Sequence, residues 1–356
     1  MKLTFDTLFS EPLIVKAVID RIQSVQKDPI YWQRYLRFEQ TRSRTFKTYF
    51  GTQTGVTMGS VIDKNSPKPR RGRKSLGSGY GEVASLGDKY QLDNDRLDML
   101  QELITAFNAK NNAETINQIV DYVFDDYRQL TLAPHKRMDK LVGDLRSTGK
   151  GSVKVADNPR GVELIDITLP VVEHEIPVAQ KASAISYLQS YLPSVRGTMG
   201  TFSVMEMNLK TFNTRIKASD EFKNMFTRVL GSSEMLIGAG ILTEKMANEL
   251  FLEVGLPPIR IVEEYVDKED GTSVNTFADD RIALLPADNL GKMKWHTPYE
   301  ASDPVPGKTY TTGLPGGMFI SSQRTDEGRF LEYGCEWIPE FTAPNKLLIL
   351  DTSKLV

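Results

Sequence analysis

The sequence has one cysteine, Cys335, and three histidines in 356 residues. A single thiol excludes an intramolecular disulfide and any metal site built from several cysteines, and it suits folding in a reducing compartment. His135, His174 and His296 are too scattered to share a helix face. His174-Glu175 runs into Ile176-Pro177, which excludes the helical metalloprotease motif. No stretch approaches the ~20 apolar residues that span a bilayer. The opening Met1-Lys2-Leu3-Thr4-Phe5-Asp6 has early charge and no apolar core, unlike a secretory signal. An excess of one charge is missing too: 44 basic residues face 46 acidic ones, for a net charge of −2. The chain as a whole is not built to coat nucleic acid. These absences predict no membrane partner, no cofactor, no metal and no catalytic residue.

What is present is an ordinary globular composition, 40% hydrophobic and 25% charged, in a chain long enough for two lobes. Residues 10–27 read as an amphipathic helix that Asp28-Pro29 stops, the mark of an N-terminal arm. Between 37 and 92 the pattern changes. Thr41, Thr45, Phe46, Thr48, Tyr49 and Phe50 favour extended chain. Eight glycines follow (Gly51, Gly55, Gly59, Gly72, Gly77, Gly79, Gly81 and Gly87), and large apolar side chains are scarce between Ser60 and Ser85. A loop beyond ~12–15 residues without its own core is usually functional or disordered. The strand-like flanks predict a two-stranded excursion that cannot offset its ordering entropy alone and needs another surface, such as a neighbouring subunit.

Helical spacing then takes over. Asn94 can cap a helix bearing Leu97, Leu100, Leu103, Ile104 and Phe107. Asn111 and Glu114 open a longer one along Ile116, Ile119, Val120, Val123, Phe124, Tyr127 and Leu130. Pro134 should kink or interrupt it, and Met138, Leu141, Val142 and Leu145 resume the pattern to Gly149. The chain becomes extended from Gly161 to Val178. A second mixed region follows, with a strand at Val204–Leu209, a helix over Phe222–Leu230, and a helix capped by Thr243. A strand over Ile259–Val266 turns at Asp270-Gly271 into Val274–Phe277, and Arg281–Leu285 and Leu347–Leu350 are further strands.

No motif carries chemistry. Gly77-Ser78-Gly79-Tyr80-Gly81 is one residue short of a dinucleotide fingerprint and lacks the preceding strand and following helix. Cys335 could serve as a nucleophile, but a buried small residue is the better reading. Asp125-Asp126 and Asp267–Asp270 read as a solvated helix face and a turn. The one charge signal is basic: from Arg34 to Lys74 eleven Lys or Arg face two acids, Glu39 and Asp63. Arg42, Arg44, Lys68, Arg70, Arg71, Arg73 and Lys74 are therefore the candidate inter-subunit contacts. The same tract fits contact with nucleic acid phosphates, pairing with an acidic patch of another copy, or a solvated loop.

The order of arm, glycine-rich excursion, spine helix, extended strands, mixed lobe and returning strand resembles the Hong Kong 97 fold of tailed-phage capsid proteins. Ile259–Val266, Gly271, Phe277, Asp279–Pro286, Leu290-Gly291 and Phe341–Leu350 are similar to the lambda-like major capsid protein E family. Lys292-Met293-Lys294-Trp295-His296 departs from it, since a second glycine is typical there. The resemblance implies an α+β fold with an N-terminal arm at 1–36 and an extension loop at 37–92. It implies a peripheral domain with the spine helix at 93–180, an axial domain at 181–320 and a return strand at 321–356. It further implies a non-enzymatic subunit that forms hexamers and pentamers of a virion shell around double-stranded DNA, assembled in a bacterial cytoplasm. Scaffolding, portal and decoration proteins would be its partners. An encapsulin-like cargo shell, or a nucleic-acid-binding protein using the basic loop, are the alternatives.

Overall fold

The computed structural model describes residues 4–5, 29–51, 76–92, 94–110, 113–154, 158, 165–230 and 243–355. The helix expected at 10–27 lies outside them. In chain order the main elements begin with β1 (Leu36–Gln40), β2 (Thr45–Gly51), β3 (Leu76–Glu82) and β4 (Ala84–Leu92), then α1 (Asn94–Lys110) and α2 (Ala113–Thr148). Next come β5 (Lys150–Val153), β6 (Ile165–Thr168), β7 (Val172–Glu175), α3 (Ala184–Met199), β8 (Val204–Asn208), α4 (Asp220–Leu230) and α5 (Glu244–Glu253). The rest is mostly strand: β9 (Ile259–Val262), β10 (Tyr265–Asp267), β11 (Ser273–Asn275), β12 (Arg281–Leu285) and β13 (Gly291–His296), then β14 (Lys308–Thr311), β15 (Phe319–Thr325), β16 (Gly328–Phe341) and β17 (Leu348–Asp351).

The chain divides into two compact units. The first takes Met1–Phe46, Gly81–Asp139 and Lys292–Glu340; the second takes Lys47–Tyr80, Lys140–Gly291 and Phe341–Val356. These limits cut across the divisions 93–180 and 181–320 because the chain re-enters each sheet several times.

The first unit is built on a sheet ordered β1-β13-β16-β15-β14, with β4 also paired to β16. Strand β16 is 14 residues long. Alternation along it sends Leu331, Cys335 and Trp337 into the core. Helix α1 contributes Leu100, Ile104 and Phe107 to the buried set, and α2 adds Ile119, Val123, Tyr127 and Leu130. The segment that leads into β1 is pinned here. The backbone N–H of Trp32 donates to Asp139 Oδ1 at 2.8 Å, and its indole Nε1–H donates to His135 Nδ1 at 3.1 Å. His135 also lies 4.8 Å from the Trp337 ring, centroid to centroid. Burial, helped by nearby Lys136, pushes the His135 pKa down to about 3, so the ring is neutral and free to accept at Nδ1. Trp337 Nε1 in turn donates to the carbonyl of Gly316 at 2.8 Å. Gly316 has φ +70°, and a Cβ there would come within 2.5 Å of the Phe38 ring, so only glycine fits.

The second unit centres on a sheet ordered β7-β17-β12-β8-β9, parallel at its two outer pairs and antiparallel within. One face presents Met205, Met207, Ile282, Leu284, Leu348 and Leu350 to the apolar sides of α3, α4 and α5, among them Leu188, Leu192, Phe222, Leu250 and Phe251. Thr243 caps α5, its Oγ1 accepting from the Met246 amide at 3.4 Å. Gly271, at φ +80°, closes the β10–β11 hairpin, in which Tyr265 faces Asn275.

Three expectations are corrected. Helix α2 runs through Pro134 as one element of 36 residues, about 54 Å at 1.5 Å per residue. Pro134 is buried, as are Leu130, His135 and Met138 on the same helix, so burial of this stretch offsets the roughly 3 kcal/mol a mid-helix proline costs. The strand expected over Ile259–Val266 is broken at Glu263-Glu264, because Glu264 turns inward to an arginine. Helix α3, with Pro193 inside it, occupies a stretch where no element was predicted.

Candidate intersubunit site

The glycine-rich excursion is narrower than 37–92. Its two ends, β1 and β4, are strands of the first unit's sheet, and β4 pairs residue by residue with β16 from Leu92–Arg329 to Ala84–Trp337. What leaves the sheet is Thr45–Glu82, whose described parts, β2 and β3, pair with each other. The two legs are joined at their base by the Val83 amide donating to the Arg44 carbonyl at 2.8 Å. Lys68, Arg70, Arg71, Arg73 and Lys74 lie outside the described residues.

The other two candidates sit at that base. Arg42 is exposed. The Arg44 side chain is half-exposed but engaged within its own unit, donating from Nη2 to Ser85 Oγ at 2.9 Å. Its Nε stands 3.7 Å from Glu336 Oε2. Glu336, on β16, has its side chain 7% exposed. It lies 2.8 Å from His296 Nδ1 on β13 and accepts from Ser85 Oγ at 3.4 Å.

A row of ion pairs continues on the same sheet. Side chains two apart on a strand share a face, so Lys292, Lys294 and His296 line up beside Glu336 and Glu340. Glu39 of β1 pairs with both Lys292 and Lys294, and Lys294 also reaches Glu340 at 3.4 Å. The hydrogen bond from Lys292, then that from Lys294, holds the Glu39 carboxyl below its ordinary range.

A second charged cluster is sealed inside the second unit. Arg146, in the last turn of α2, donates to Glu206 of β8 and, at 2.6 Å, to Glu264. Thr276 Oγ1 donates to Glu264 at 3.1 Å, and Arg260 donates to the other oxygen of Glu206 at 2.9 Å. The approach is close because α2 has glycine at 143, where a Cβ would lie 2.5 Å from the Thr276 carbonyl. This arrangement is structural: each carboxylate has its cation, and nothing reactive faces it.

Cys335 is buried, and burial first, then the negative charge of Glu336 and Asp88, raises its thiol well above the ordinary value. A protonated, enclosed thiol is a poor nucleophile. His174 stacks on Tyr191 at 4.0 Å and meets the Tyr187 hydroxyl at 2.7 Å. Among the described residues, no group of three His, Cys, Asp or Glu side chains could hold a metal ion, and no helix is long and apolar enough to cross a membrane. Reading the sequence singled out Arg44 but missed Glu336 and Ser85. The signal was there: Glu332, Glu336 and Glu340 recur every four residues through a strand whose other face is Leu331, Tyr333, Cys335 and Trp337.

No family model matches the sequence, and no curated protein does. Solved structures do. A protein described as the capsid protein of a prophage of E. coli CFT073 is 11% identical, with a TM-score of 0.55 over 99% of this chain and 100% of that one. A phage-related protein from Bordetella bronchiseptica RB50 is 8% identical, with a TM-score of 0.48 over 96% and 98% of the two chains. A virus-like particle from Pyrococcus furiosus is 10% identical, with a TM-score of 0.43 over 96% and 98%. The first establishes a shared fold along nearly the whole chain, and the expected α+β class is observed. The other two are too distant to carry an argument.

Proposed function

We propose that this chain is the major capsid protein of a tailed bacteriophage, a non-enzymatic subunit that assembles with copies of itself into a shell around double-stranded DNA. The observation that carries the reading is the end-to-end fold likeness to the prophage capsid protein. The excursion Thr45–Glu82 supports it: a paired ribbon with few large apolar side chains gains most by lying on another copy. A closed shell repeats a few contacts by symmetry, and a long arm enlarges them without a larger core; permanent interfaces run to about 2,000–5,000 Å². In this reading Lys68, Arg70, Arg71, Arg73 and Lys74 contact the neighbouring subunit. The near-neutral net charge lets packaged DNA slide past the wall. Within 37–92, Thr45–Glu82 is the part that acts as the extension loop, with 93–180 and 321–356 peripheral and 181–320 axial. Scaffolding, portal and decoration proteins complete the virion, which assembles in the host cytoplasm.

Negative-stain electron microscopy of the purified protein, alone and with its neighbouring gene products, tests this. Shells, tubes or capsomer rings are expected, and a strict monomer under every condition overturns it. DNA inside purified particles supports the phage reading, whereas protein cargo would favour a storage compartment.

A further inference from the structure

One buried carboxylate touches both legs of the excursion. Leaving the body, the chain passes Thr41, whose amide donates to the Trp295 carbonyl at 2.8 Å, bends through Arg42–Arg44, and enters β2. Returning, it passes Val83 and enters β4 at Ala84-Ser85. Arg44 is the last residue before the outgoing strand and Ser85 the second of the incoming one. Glu336 meets both, Oε2 facing Arg44 and Oε1 accepting from Ser85, while His296 holds it from the next strand. The incoming leg is also held by the β4–β16 backbone ladder, which ends at Ala84–Trp337, and the two legs are joined by the Val83–Arg44 bond; the side-chain contacts add a tie from the sheet to the outgoing leg at Arg44.

We infer that Glu336 is the positioning residue of the Thr45–Glu82 arm, acting through Arg44 and Ser85 to fix the direction in which the arm leaves the body. The geometry separates this from simple satisfaction of a buried charge. His296 Nδ1, at 2.8 Å, already supplies Glu336 with a partner, and Arg44 is half-exposed and could be solvated by water alone. A half-exposed arginine that instead spans to both Ser85 and Glu336 adds little to global stability, since such pairs are worth about 0.2–1 kcal/mol. Its leverage is local, at the root of the ribbon.

The inference rests on reading the ribbon as an intersubunit arm, so its test has two readouts on the full chain. The first is hydrogen exchange of 45–51 and 76–83 in the unassembled protein; the second is assembly followed by light scattering and microscopy. Arg44→Gln and Glu336→Gln are each expected to speed exchange at the arm root by roughly twofold to fivefold, the range a part-exposed ion pair supplies. Exchange in Phe319–Thr325 should stay at the parent level, and assembled particles should become irregular. Arg44→Lys, which keeps the charge, should recover part of the protection. The double variant should be no worse than either single one, as for two residues of one contact. If Glu336→Gln loosens the whole sheet, Arg44→Gln decides: parent-like exchange at the arm root in that variant overturns the inference. A parent chain that never assembles would defeat the shell reading alone, leaving the exchange result standing.

Discussion

Two arginines meet glutamates in this molecule, with opposite consequences. The Arg146 side chain is 1% exposed and the Arg44 side chain 50%. Arg146 joins the end of α2 to β8 and to the break between β9 and β10, where water cannot take the place of either partner. Arg44 stands at the rim of a sheet, where water can. The same chemistry is therefore a rivet in one place and an adjustable stop in the other. Solvent access, more than the number of ion pairs, separates what holds the fold from what water can replace.

The largest expected break in that contrast is Arg146→Met. Removing one partner of a buried pair strands Glu264, leaves Glu206 with Arg260 alone and should cost about 3–5 kcal/mol in urea unfolding; a loss under about 1 kcal/mol would place Arg146 in the same class as Arg44. Acid should act next. The folded His135 pKa, about 3, lies below the ordinary value of 6.5, so the unfolded chain binds the proton more readily. The stability this supplies is present above pH 6.5 and is lost as pH falls toward 3, by up to about 1.4 kcal/mol per pH unit. Urea midpoints between pH 7 and 5, read through tryptophan fluorescence, should fall in the parent and much less in His135→Gln. Replacing 52–75 with a short linker should change unfolding free energy by under about 1 kcal/mol yet abolish assembly. A wider deletion through residue 85 would remove Ala84 and Ser85 from the sheet and confuse the two effects. Smallest of all, Arg70, Arg71 and Arg73 to Gln should leave stability within about 0.5 kcal/mol of the parent and flatten the salt dependence of assembly, checked by light scattering from low to high salt.

Much of the second unit was legible in the sequence because its signals are local. Short unbroken apolar runs mark β12 and β17, helical spacing marks α4 and α5, and Thr243 announces its cap. Helix α3 was hidden by Pro193 and Gly197, although Ile185, Leu188 and Leu192 keep the spacing of a buried stripe. The break between β9 and β10 was invisible because its cause, Arg146, lies 118 residues away from Glu264. Strand β4 read as part of a free loop because most of its side chains are exposed, and its partner β16 is set by pairing from the far end of the chain. The site divides in the same way. The basic tract shows itself by charge density, whereas the Glu336 cluster needs four segments brought together by the sheet, and no spacing rule could unite them.

Ser85 and Glu336 meet across 251 positions of sequence, and β16, which receives β4, β13 and β15, is made long after β4. Contacts that distant slow folding, because the loop between them must close first. On the ribosome, the arm's root therefore has no floor until residue 336 has emerged. A truncated or stalled product carries the ribbon but lacks the strand that aims it.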